Sequence, residues 1–143
     1  MTEISFHFNV AAPVGYACRL VRKAARRGAG VVVTGPRPLL DELDREIWTF
    51  DAAEFVAHAW AEDSAAVPGS LHESLVWLAT DPLAAPAHDA LVNLGAESPR
   101  GYESFARLIE IVATAEPDRA AARERWKSYA RRGYAIERHE VGE

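Results

Sequence analysis

The chain has 143 residues, a formal net charge of −5, 49% hydrophobic and 26% charged residues. That length supports one packed domain, the charge fraction is that of an ordinary globular protein, and the acidic balance excludes capture of nucleic acid by the surface as a whole. Any polyanion site must be a local island.

No apolar run approaches the roughly 18 residues of a membrane span. "MTEISFHFNV" carries no basic leader followed by an apolar block. Cys18 is the single cysteine, which excludes an internal disulfide and fits a reducing, cytoplasmic setting.

In chain order, "EISFHF" alternates and reads as a first strand. "PVGYACRLVRKAARRG" places Val14, Tyr16, Cys18, Leu20, Val21 and Ala24 near helical spacing, opened by Pro13 and stopped by Gly28. "GVVVTG" is a short β-branched run, as in a buried parallel strand. "PLLDELDREIW" is a second amphipathic helix with Leu39, Leu40, Leu43 and Ile47 on one side, and "FVAHAW" a short edge strand. Residues 61–73 have Pro, Gly and Ser without periodicity and read as a surface loop. "SLVWLAT", "ALVNLGA" and "LIEIVAT" are further strands, with a turn and short helix at "ESPRGYESFARL" before the last of them. A final helix from Pro117 stops at Gly133, and "YAIERHEV" closes the sheet. Alternating units of this kind predict a single three-layer α/β domain over residues 1–143 with a mostly parallel sheet.

Such a sheet raises the question of a nucleotide, yet the first strand runs into "NVAAPVGY", not a Gly-x-Gly-x-x-Gly turn. "RRGAGVVV" precedes a strand, and "TGPRPLL" lacks the lysine of a phosphate loop. His7, His58, His72, His88 and His139 are scattered without ligand spacing, and His72 and His88 read as solvated loop residues. Cys18 reads as a small core residue. No catalytic residue, metal or cofactor is expected.

The signal lies in "PDRAAARERWKSYARRGY", residues 117–134, which holds six of the 16 basic residues. Arg119, Arg123, Lys127 and Arg131 are four apart and form one stripe about 18 Å long at about 1.5 Å per residue. Like charges at this spacing repel, and within the helix Asp118 and Glu124 are the compensating groups. Trp126 projects beside Arg119 and Arg123, with Ala122, Tyr129 and Ala130 turned toward the core. The stripe reads as the only island for an anion. Three readings stand open: a solvated helix face, a dock for an acidic segment with an apolar anchor, and direct single-strand binding by helix 117–133 with Trp126 and Tyr134 as stacking platforms.

"ARERWKSYARRGY", "LDREIWTFDAAEFVAHAW" and "FARLIEIV" together resemble, in order and spacing, the chi subunit of bacterial DNA polymerase III, a component of the clamp-loader assembly. The resemblance covers essentially the whole chain. It implies a Rossmann-like fold with neither nucleotide nor catalysis, and binding of the acidic C-terminal tail of single-stranded DNA-binding protein, which ends in Pro-Phe. The implied tail site is Arg119, Arg123, Trp126, Lys127 and Arg131, with Val112 as apolar lining. Contact with DNA itself is then indirect. A second face, at Trp48 and Phe55, is implied for the psi subunit of the clamp loader or a helicase-like protein. By pattern alone Trp48 reads as helix-end core.

Overall fold

The computed structural model describes residues 1–49, 56–73 and 75–142. In chain order the elements are β1 (Glu3–Val10), α1 (Pro13–Arg26), β2 (Val31–Thr34), α2 (Arg37–Thr49), β3 (His58–Trp60), β4 (Val76–Ala79), β5 (Ala90–Asn93), β6 (Arg107–Ala113), α3 (Glu116–Arg131) and β7 (Ile136–Glu140). The seven strands form one sheet in the order β3-β4-β2-β5-β6-β1-β7. Every adjacent pair is parallel.

Parallel neighbours need crossovers, and right-handed crossovers decide which face each helix covers. From β1 the chain steps across the sheet to β2 and then β3, so α1 and α2 share one face. From β5 it steps back through β6 to β7, so α3 lies on the other. The result is a three-layer Rossmann-like α/β architecture, as the sequence predicts.

Each layer boundary is its own apolar cluster, divided by the period of two along the strands. Val31, Val33, Val76, Leu78 and Val92 pack with Val14, Ala17, Cys18 and Val21 of α1 and Leu40, Leu43 and Ile47 of α2. Val32, Trp77, Leu91, Leu108 and Val112 face the opposite way, with Ala122 and Tyr129 of α3. Strand β1 changes allegiance partway. Asn9 has φ 63°, and the β1–β6 register shifts between His7 and Val10. This bulge lets Ile4, Phe6 and Phe8 face α3 while Val10 joins the α1–α2 side.

Some local expectations are corrected. Residues 61–73 contain two 3-10 turns, Ala61–Ala66 and Gly69–Leu71, and the short helix after "ESPRG" is a 3-10 turn at Tyr102–Ser104. Ala130 is exposed. His72 and His88 are half-buried parts of the fold, not solvated. His72 Nε2 lies 3.0 Å from the Val67 carbonyl oxygen and its ring meets the edge of Trp77, whose indole N–H donates to the His72 carbonyl at 2.8 Å. His88 stacks on Phe105 and bonds to the Ala85 carbonyl and the Ser104 hydroxyl. "FVAHAW" supplies β3, an edge strand, over its last three residues. Burial pushes the Cys18 thiol up, as suits a core residue.

On the α1 side, His7 meets the Tyr16 hydroxyl at 2.5 Å through Nδ1, and its ring lies 4.7 Å from that of His139. Burial, then the nearby His139 and Arg107 charges, lowers the His7 pKa from 6.5 to about 4. The folded chain therefore resists a proton that the unfolded chain accepts, and His7 contributes stability above about pH 6.5 that is lost as pH falls toward 4. Urea midpoints measured across this window should fall less steeply for His7→Asn than for the parent chain.

Candidate partner-binding site

Helix α3 is defined by short-range rules at both ends. Glu116 and Asp118 sit in its first turn beside Pro117, Arg131 lies in its last turn, and Gly133 takes φ 88° just beyond. What sets its rotation about its axis is a buried polar cluster beneath it. Glu110, in the middle of β6, faces α3 and is fully buried; Arg125 opposite it is 6% exposed. Arg125 Nε lies 3.2 Å from Glu110 Oε1, and its Nη1 donates to the Ala96 carbonyl at 2.5 Å. The Tyr129 hydroxyl donates to Glu110 Oε2 at 2.6 Å, and Asn93 Nδ2 donates to Glu110 Oε1 at 2.8 Å and to the Glu97 carbonyl at 2.9 Å. Burial pushes the Glu110 carboxyl up; the Arg125 charge and these hydrogen bonds act in the other direction. Burial and then the Glu110 charge push the Tyr129 phenol well above its ordinary value.

With Ala122, Arg125 and Tyr129 held inward, the helical repeat turns the stripe outward. Arg119, Arg123, Lys127 and Arg131 are all exposed. The structure adds a carboxylate to their compensation: Glu116 opens the helix and pairs with Arg123 at 2.6 Å, while Lys127 pairs with Glu124 at 3.4 Å. The Arg123 hydrogen bond and charge, with the more distant Arg119, hold the Glu116 carboxyl below the usual range. Among the described residues Arg119 and Arg131 form no ion pair.

Trp126 stands at the boundary between this ridge and the core. Its indole is half-buried, with ring centroids 5.1 Å from Phe6 and 6.1 Å from Phe8. The Arg138 guanidinium covers Phe8 from 4.3 Å, extending the cationic border onto β7. Val112 belongs to the same apolar cluster but is only 1% exposed, so it supplies floor and not wall. The hollow that Val112 borders, about 340 Å³ at the ends of β1, β5 and β6, is edged by Asp118 and Arg125, and no ridge residue lines it. Tyr134 packs on Tyr102 and Tyr129, at the far end of the aromatic row from Trp126.

The second face lies on the α2 side. Trp48, in the last turn of α2, is 60% exposed, so the core assignment from pattern alone does not hold. Its ring lies 5.1 Å from that of His58, which is anchored to Asp44 at 2.6 Å. At the other end of α2, Arg37 stacks on Trp60 at 3.9 Å. Phe55 falls outside the described residues.

Sequence reasoning missed Glu110 and Arg125 as a pair and Arg138 as a cover for Phe8. The first had a signal: Ala122, Arg125 and Tyr129 fall at i, i+3 and i+7, so Arg125 shares the inward face. The seven-strand parallel sheet thus carries, on one face, a helix with an outward cationic ridge beside a half-buried indole. Among the described residues no group of His, Cys, Asp or Glu is placed to hold a metal ion, and no helix is long and apolar enough to cross a membrane.

The chain belongs to the family described as DNA polymerase III chi subunit, HolC, whose profile matches residues 1–137. It is similar to the DNA polymerase III subunit chi of Pseudomonas aeruginosa, at 31% identity over 99% of this chain and 98% of that one. It is also similar to the DNA polymerase III subunit chi of Haemophilus influenzae, at 29% identity over 88% of this chain and 85% of that one. The family is an accessory subunit of DNA polymerase III and works in DNA replication.

The buried pair makes a directional prediction. Arg125→Met leaves an uncompensated carboxylate under α3 and should cost about 3–5 kcal/mol in urea unfolding, whereas adding Glu110→Gln should return a large part of that loss.

Proposed function

We propose that this chain is a non-catalytic adaptor that binds the acidic C-terminal tail of single-stranded DNA-binding protein and links it to the clamp loader. The observation that carries the reading is the outward ridge of α3 with Trp126 at its edge, in which Arg123 already holds one carboxylate, that of Glu116, at 2.6 Å. Guanidinium groups take carboxylates through charge-assisted hydrogen bonds, and an adjacent indole gives an apolar residue somewhere to pack. The terminal Phe of the tail packs against Trp126, whose ring rests on Phe6 and Phe8. Its α-carboxylate pairs with Arg123 or Arg119, and the upstream aspartates run along Lys127 and Arg131. Trp48 and Phe55 mark a separate face for a psi-type subunit or a helicase-like protein; the 60% exposure of Trp48 supports an interface role over a core one.

A labelled acidic peptide ending in Phe, titrated against the chain, should bind on the order of micromolar and weaken with salt. Arg123→Ala and Trp126→Ala should each weaken it by about 1–3 kcal/mol. Equal binding of the peptide with and without its last Phe would remove the aromatic anchor. For the second face, Trp48→Ala should lose a protein retained from cell extract by the parent chain while leaving peptide binding unchanged.

A further inference from the structure

The ridge on α3 is not the only cationic island. Residues 13–27 hold Arg19, Arg22, Lys23, Arg26 and Arg27 and no carboxylate. With the six on residues 117–134, 11 of the 16 basic residues sit on two helices and their C-caps. Those helices lie on opposite faces of the sheet, so one short ligand cannot span both.

On α1 the buried residues are Val14, Ala17, Cys18 and Val21. At about 100° per residue, Arg19, Lys23 and Arg26 fall within about 60° of one another on the opposite side, with Arg27 about 40° beyond Lys23. Arg19, Lys23, Arg26 and Arg27 are exposed. The helix dipole favours cations in the last turn, which accounts for Lys23 and Arg26. It does not account for Arg19 a turn earlier, nor for Arg107, which arrives from the start of β6. Lys23, Arg27 and Arg107 line one groove of about 330 Å³ between α1 and the sheet, with His7 and His139 on its floor. Asp89 and Glu137 also line it, and Glu137 lies 3.4 Å from His139 Nε2. Among the described residues none of Arg19, Lys23, Arg27 and Arg107 forms an ion pair. Repulsion between Arg19 and Lys23, and between Lys23 and Arg27, each four apart, therefore meets no ion pair at these residues, at a few tenths of a kcal/mol per pair.

We infer that the outward face of α1, together with Arg107, is a second anion-binding surface whose ligand is the phosphodiester backbone of nucleic acid. One observation favours a phosphate backbone over an acidic peptide, and two more fit a polyanion of either kind. Among the described residues the large exposed apolar side chains are Met1, Trp48, Leu71 and Leu83, none of them on the α1 face, so it offers no anchor for a particular side chain. Arg19, Lys23 and Arg27 advance in steps of about 6 Å along the helix, the same repeat as the α3 ridge. Neighbouring α2 carries Asp41, Glu42, Asp44 and Glu46, a gradient that steers a polyanion along α1 and away from α2. The surface reads no sequence, because phosphate contacts position a chain without discriminating bases. It stands apart from the α3 reading and does not depend on it.

Fluorescence anisotropy of a dye-labelled oligothymidine, titrated with the full chain at about 50 mM salt, tests the assignment. The parent chain should bind weakly, and Lys23→Glu/Arg27→Glu/Arg107→Glu should reduce affinity at least about tenfold and flatten the log–log salt slope by about 2, near 0.7 per lost phosphate contact. Arg123→Glu/Lys127→Glu on α3 should change affinity by less than about threefold, though it abolishes binding of the Phe-ending peptide. The charge-neutral pair Lys23→Gln/Arg27→Gln, checked for an unchanged melting curve, should weaken binding in the same direction and guards against a folding defect. Absence of oligonucleotide binding by the parent chain would overturn the inference. So would loss of binding in the α3 variant alone, or displacement of the oligonucleotide by polyglutamate at equal charge, which would make the surface a peptide site.

Discussion

Everything outward about α3 depends on what is inward: one carboxylate in the middle of β6 and the guanidinium and phenol that meet it. A charge buried in a low-dielectric interior is tolerable when its hydrogen-bonding capacity is filled. Glu110 accepts hydrogen bonds from Asn93 on β5 and Tyr129 on α3, and its charge is paired with that of Arg125 on α3. Apolar packing would let a helix roll by a fraction of a turn at modest cost. A paired carboxylate does not, because rolling strands it. The rotation of α3, and so the direction in which Arg119, Arg123, Lys127 and Arg131 face, follows from a residue that no partner touches.

The fold was largely legible in the sequence because its strands carry strong patterns. Val31–Thr34 and Val76–Ala79 are short apolar runs, as expected of strands buried on both faces, and both are fully buried. Pro13, Gly28, Pro117 and Gly133 mark helix boundaries through backbone chemistry that acts locally. Three things were not legible. The bulge at Asn9 redirects Val10 through a positive φ that nothing in the residue type demands. The roles of His72 and His88 come from neighbours 5 and 16 residues away in the sequence. The identity of Trp48 as surface depends on how α2 ends against β3, which helical spacing alone misjudges. The cations of α1 were present in the sequence, but apolar periodicity reports which residues turn inward and says nothing about the sign carried by the rest.

In the site, the ridge and its indole followed from spacing, and the structure changed their surroundings. Glu116 proved to be a partner of Arg123, so the ridge is already occupied in part by its own chain. Any incoming carboxylate exchanges with that one, which makes the net gain smaller than the count of cations suggests. Arg138 proved to belong beside Phe8, joining β7 to a surface that spacing had confined to a single helix. Opposite-face placement of α1 and α3 then divides most of the protein's positive charge into two fields that a 143-residue chain with net charge −5 keeps apart by the thickness of its sheet.

Strand β7 closes one margin of the sheet by pairing with β1 alone, and its outer backbone is left open. Its residues Glu137, Arg138, His139 and Glu140 are all exposed. A further strand laid against that margin would have to dehydrate four ionisable side chains in succession, so extension of the sheet by another molecule is disfavoured. At this margin, contact with another molecule is thereby steered to side chains and away from the backbone ladder.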